Sequence, residues 1–160
     1  MDNAKKNQAQ ISALRLLAAS PKSRKELAGK LADKGYPEET VRETLDQLEK
    51  QGLQSDRAFA QNLLERWTYA QPSGRRKIDF ELKRRGIASA IREELLSSIA
   101  PEDERARARE LASARWERLT KLPAEKRTQR VYEFLIRRGF DFQICRDLVE
   151  QLESRHPQES

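Results

Sequence analysis

A chain of 160 residues with 36% charged and 37% hydrophobic side chains suits amphipathic helices with thin apolar stripes, not one thick core. Six Gly, six Pro and few runs of Val, Ile or Thr argue against a β-rich fold, and no run approaches the ~20 apolar residues of a membrane helix. The net charge of +6 favours polyanions or acidic protein faces as partners, and the single cysteine, Cys145, excludes an intrachain disulfide. With no apolar centre of a signal peptide at the start, these features read as a cytoplasmic protein.

The chain then reads as nine helices in three sets. The first helix is placed near 8–19, with Ile11, Leu14 and Leu17 as its buried stripe. Ser23 followed by Glu26 is a capping box for the second, which carries Leu27 and Leu31 and stops at Gly35. Pro37, Glu38 and Glu39 open the third, with Val41, Leu45 and Leu48 inside and Gly52 at its close. The second set begins at Ser55 or Asp56. It runs through Phe59, Leu63 and Trp67, breaks at "QPSG" (71–74), continues through Ile78 and Leu82 to Gly86, and ends on Ile91 and Leu95. The third begins after Pro101, with Glu102, Asp103 and Glu104 in its first turn and Leu111 and Trp116 as anchors beside Ala108 and Ala112. It restarts at Pro123, passes Val131 and Leu135 to Gly139, and ends on Ile144, Leu148 and Leu152 behind an Asp141 cap. The domain reading is 8–54, 55–100 and 101–153, with 1–7 and 154–160 as disordered tails.

Three stretches echo one another: "LADKGY" at 31–36, "LKRRGI" at 82–87 and "LIRRGF" at 135–140. Aligned on Gly35, Gly86 and Gly139, the spacings are 51 and 53. Leu31, Leu82 and Leu135 stand four positions earlier; Leu27, Ile78 and Val131 stand eight earlier. Tyr36, Ile87 and Phe140 follow the glycines, and one helix on come Val41, Ile91 and Ile144, then Leu45, Leu95 and Leu148. Three-helix units of about 50 residues have marginal cores alone, so stacking is expected: an all-α, elongated and curved array of three tandem three-helix repeats.

Charge is uneven along this array. Residues 66–92 hold eight basic side chains and only two acidic ones. The basic set is Arg66, Arg75, Arg76, Lys77, Lys83, Arg84, Arg85 and Arg92, and the third unit adds Arg127, Arg130, Arg137 and Arg138. Such side chains can touch phosphates or acidic protein surface. Trp67, Tyr69 and Trp116 can stack on bases, although Trp at helical spacing commonly fills core. One Cys and one His, His156, cannot build a zinc site unaided, and no Gly-rich phosphate loop occurs, so no enzyme is expected.

The segments "SDRAFAQNLLERW" (55–67), "GRRKIDFELKRRGI" (74–87), "SRKELAGKLADKGYPEETVRETLDQLEKQGL" (23–53) and "FLIRRGFDFQICRDL" (134–148) resemble, in order and spacing, the RecX family. The resemblance covers roughly residues 10–153. It implies a regulator, mainly an inhibitor, of the RecA recombinase that lies in the groove of the RecA–DNA filament and restrains its extension, ATP hydrolysis and strand exchange. It also implies direct binding of DNA and no catalytic residue; weak binding of single- and double-stranded DNA, a monomer and no cofactor are expected. The alternative is a helix-turn-helix transcription factor, since 23–53 reads as that motif; a winged version would need a β-hairpin after it, where 55–67 is helical by spacing.

Overall fold

The computed structural model describes residues 2–155. Among the described residues there are nine α-helices and no strand: α1 (Asp2–Ala19), α2 (Arg24–Asp33), α3 (Glu38–Lys50), α4 (Asp56–Glu65), α5 (Arg75–Arg84), α6 (Ser89–Ser97), α7 (Pro101–Arg118), α8 (Ala124–Arg137) and α9 (Phe142–Arg155). A π-helical turn, Arg66–Ala70, continues α4. The fold is all-α in three consecutive sets of three helices, as the spacing predicts. The first helix starts at Asp2, so residues 2–7, read as a tail, are helical. α9 likewise carries Ser154 and Arg155, and His156 lies outside the described residues.

Two compact units divide the chain. The first takes residues up to Leu63 together with Leu82–Arg92; the second takes Leu64–Glu81 and the chain from Glu93 onward. The middle set of helices therefore contributes to both.

In the first unit Ala13, Leu27, Leu31, Val41, Leu45 and Leu48 form the core, with Leu16, Leu17 and Tyr36 packed against it. The α1 stripe differs from the sequence expectation. Ile11 and Leu14 are 50% and 37% exposed, while Ala9 and Ala13 are fully buried. α1 packs on both α2 and α3. Small side chains permit that close double approach, and a helix with apolar residues at 11, 13, 14, 16 and 17 offers no single sharp stripe to predict from. Ser23 caps α2 as expected: its Oγ accepts from the Glu26 amide at 3.2 Å.

In the second unit Trp116, Val131, Leu135, Phe140, Ile144, Cys145 and Leu148 form the core. Ala108 and Ala112 bring α7 close, and Leu111 is only partly buried. Asp141 caps α9, accepting from the Gln143 amide at 2.9 Å.

The repeat has one stereochemical device. Gly35, Gly86 and Gly139 have φ of +94°, +85° and +83°. In each copy the residue after Gly donates its amide back to the repeat leucine: Tyr36 to Leu31 at 3.3 Å, Ile87 to Leu82 at 3.0 Å, Phe140 to Leu135 at 3.2 Å. The glycines donate to Ala32, Lys83 and Ile136. This is the Schellman closure, which satisfies the last helical carbonyls and folds an apolar side chain back onto the core. Each repeat leucine thus both fills the core and accepts the closing bond.

Candidate binding surface

The basic side chains are positioned by two helix junctions built alike. In the first unit the end of α5 meets the start of α2: Ser23 Oγ donates to the Arg85 carbonyl at 2.6 Å, and Gly86 lies against the Lys25 side chain. In the second the end of α8 meets the start of α5. The Gly74 amide donates to the Arg138 carbonyl at 2.7 Å and the Arg76 amide to the Gly139 carbonyl at 3.0 Å. The buried Glu104 carboxylate accepts from the Arg75 amide at 3.1 Å. A helix-start hydroxyl in the first junction and helix-start amides in the second thus meet carbonyls at another helix end, where opposite partial charges attract. Gly139 packs directly on Lys77, and Gly74 on the Gly139 carbonyl.

Several of the twelve basic residues are committed to the fold. Arg75 donates to the Ile99 carbonyl at 2.8 Å and pairs with Glu104 at 3.5 Å. Arg85 reaches Glu26 at 3.4 Å and lies 5.8 Å from the Phe59 ring centre. Arg92 donates to the Ile87 carbonyl at 2.7 Å. Arg138 donates to the Pro72 carbonyl at 3.1 Å and lies 5.3 Å from the Phe134 ring centre. Arg127 is buried over Trp116. Lys77 is half-buried at the Gly139 junction.

The rest face solvent. Arg66, Arg76, Lys83, Arg84, Arg130 and Arg137 are exposed. Arg76 stacks 4.1 Å above the Phe142 ring, a cation–π contact that holds its guanidinium outward from the α5 start. The structure therefore brings Arg76, Lys77, Arg137 and Arg138 to one junction in the second unit, and sets Lys83, Arg84 and Arg85 beside the start of α2 in the first. In each "RR" pair the second arginine braces a junction and the first is exposed.

Of the three aromatic candidates for stacking, Trp67 and Trp116 are core residues, whereas Tyr69 is 81% exposed. Sequence reading missed Arg115, which lies 5.0 Å from the Phe134 ring centre opposite no sequence signal, because the pair joins two different helices. Phe80 and Phe142 are also exposed and were hidden among core-type residues.

Cys145 is fully buried, and its thiol donates to the Phe140 carbonyl at 3.7 Å. Burial, aided by the Asp141 charge, pushes the thiol up to about 11, so the thiolate is disfavoured at neutral pH. A disulfide-exchange reagent at pH 8 is therefore expected to label the native protein at least ~100-fold more slowly than the urea-unfolded chain. Equal rates would show that Cys145 is accessible. Among the described residues no group of three or more His, Cys, Asp or Glu is placed to hold a metal ion, and no helix is long and apolar enough to cross a membrane.

The comparisons with known proteins follow the same lines. The family model for the RecX first three-helix domain matches residues 9–48, and that for the RecX third three-helix domain matches 102–149. A regulatory protein RecX from Chlorobium limicola is 35% identical over 155 residues, covering 96% of this chain and 94% of the relative. The regulatory protein RecX of Clostridium perfringens strain 13 is 34% identical over 143 residues, covering 88% of this chain; the chain spans only 66% of that relative's length. The crystal structure of RecX from Lactobacillus salivarius has the same fold, with a TM-score of 0.83 at 20% identity, covering 94% of this chain and 98% of that one. The segment after the first three helices is α4, not the β-hairpin that a winged transcription factor would place there. From the glycine-closed triplets, their order and these relatives, the chain belongs to the RecX family of regulatory proteins.

Proposed function

We propose that this chain restrains a RecA recombinase by binding along the RecA–DNA filament, slowing filament extension, ATP hydrolysis and strand exchange. The observation that carries the reading is the outward arginine and lysine set at the ends of α5 and α8, on a chain whose family regulates. Lys83 and Arg137 are exposed beyond the glycine-closed cores, whereas Arg75 and Arg127 are tied into the fold. Phosphates or acidic protein faces would neutralise them. No residue is assigned a chemical step; the action is occupation of a polymer.

The test is the DNA-dependent ATPase of the recombinase. Substoichiometric protein is expected to slow it. Lys83→Glu combined with Arg137→Glu is expected to weaken filament binding about tenfold with unchanged helical circular dichroism. A rate indifferent to the wild-type protein sinks the regulator reading. Unchanged binding by the double variant removes these two side chains from the interface.

A further inference from the structure

Two phenyl rings stand out of the second unit with one guanidinium serving both. Phe80, on α5, is 63% exposed, and Phe142, at the first turn of α9, is 47% exposed. Neither is needed inside: α5 buries Ile78, and α9 buries Ile144, Cys145 and Leu148. Arg76 links the rings. Its guanidinium lies 4.1 Å from the Phe142 ring centre. Phe80 is one turn further along α5, where residues i and i+4 are neighbours on one face. The group is held in place from below. The Arg76 amide donates to the Gly139 carbonyl at 3.0 Å, and Asp141, beside Phe142, caps α9 by accepting from the Gln143 amide at 2.9 Å.

A lone exposed apolar side chain needs no explanation. Two aromatic rings from different helices, meeting at a cation, form a surface with defined chemistry. The charge around it favours anions. On residues 75–81 of α5, the last turn of α8 and the first two turns of α9, the exposed charges are Arg76, Arg137 and Arg146 against Asp141 alone; Asp79 and Glu81 are half-buried. An acidic protein face would satisfy the cations but set charged groups on the phenyl faces. A purely apolar face would strand Arg76 without a counter-charge. A single nucleic-acid strand carries both parts in every nucleotide, a flat π face and a phosphate. In a duplex the base faces are hidden in the stack, so the rings have nothing to meet. We propose that Phe80, Arg76 and Phe142 form a platform on which unpaired bases of a single-stranded nucleic acid stack, with preference for single strands over duplex as the result. The platform works without a recombinase, so it does not rest on the regulator reading.

The experiment compares wild type, Phe80→Ala, Phe142→Ala and Phe80→Trp, each as the full chain. Binding is measured by anisotropy to a labelled thymidine oligonucleotide, to an abasic strand of the same length, and to the DNA-free recombinase. Each alanine variant is expected to lose about tenfold affinity for the thymidine strand, the range of one stacked base, and to bind the abasic strand within about twofold of wild type. Phe80→Trp keeps a π face and is expected to retain wild-type affinity. Phe80 is exposed enough that its alanine variant keeps the fold, so it carries the test if Phe142→Ala lowers the melting temperature. Undiminished binding of the thymidine strand by folded Phe80→Ala overturns the platform. Equal losses on the thymidine and abasic strands mean that phosphate alone is read, and overturn it too. Loss confined to the DNA-free recombinase makes the rings a protein contact and also overturns it. The regulator reading stands or falls separately, on the recombinase ATPase.

Discussion

Gly139→Ala is expected to unfold the second unit at temperatures where Gly35→Ala leaves the first intact. Both glycines sit at positive φ, where an added Cβ costs about 1–2 kcal/mol. At Gly35 that is the whole penalty, because a Cβ there would meet nothing within 4 Å. At Gly139 the new carbon would collide with the backbone nitrogen and Cβ of Lys77. Backbone cannot step aside as a flexible side chain can. Relief requires pulling α8 away from the start of α5, which breaks the bonds from the Gly74 and Arg76 amides to Arg138 and Gly139. Strain plus two orphaned amides puts the total above roughly 4 kcal/mol. Thermal unfolding followed by circular dichroism checks the contrast. Equal shifts for the two variants would mean that the junction is not packed as described.

Removal of the Arg127 side chain should be nearly as damaging, although charge counting placed it among candidate partner contacts. Arg127 is 5% exposed. Its Nε donates to the Trp116 carbonyl at 2.8 Å, and its guanidinium lies 4.1 Å from the Trp116 ring centre. That carbonyl belongs to the last turn of α7, where the Leu119 amide also donates to it, at 3.2 Å. Arg127→Ala removes a charged donor from that carbonyl and leaves a void above the indole, at a cost of about 3 kcal/mol. Arg127→Lys restores charge over the ring but not the planar donor, so it should recover only part of the loss. Trp fluorescence during urea unfolding reads this directly. If Arg127→Ala unfolds at the wild-type midpoint, the residue is a surface charge after all.

Arg127 also shows where sequence reasoning reaches its limit. Its spacing from Val131 and Leu135 was visible, yet nothing in the string tells that the residue at i−4 of Val131 turns inward. That depends on α7 ending at Arg118 with the Trp116 carbonyl within reach. Arg75 and Glu104 form a comparable case: they lie 29 positions apart, and each reads alone as an exposed helix-start residue. The α1 stripe failed for a related reason. Two neighbouring helices, not one, press on it, and the tightest contact falls on Ala9 and Ala13.

What the string determined by itself was the repeat. Leu27, Ile78 and Val131, with Leu31, Leu82 and Leu135, are all fully buried, and the three glycines all take the left-handed conformation. These are local requirements: helical period, a residue without Cβ at the stop, an apolar residue to fold back. Neighbours in sequence satisfy them, so they are legible there. Tertiary structure alone decided which arginines brace the junctions. Arg84 and Arg85 are adjacent, and so are Arg137 and Arg138, and the second of each pair reaches across its junction, to Glu26 in one and to the Pro72 carbonyl in the other. A long cation is claimed by whichever acceptor packing brings within its reach, and that acceptor lies some 60 residues away along the chain.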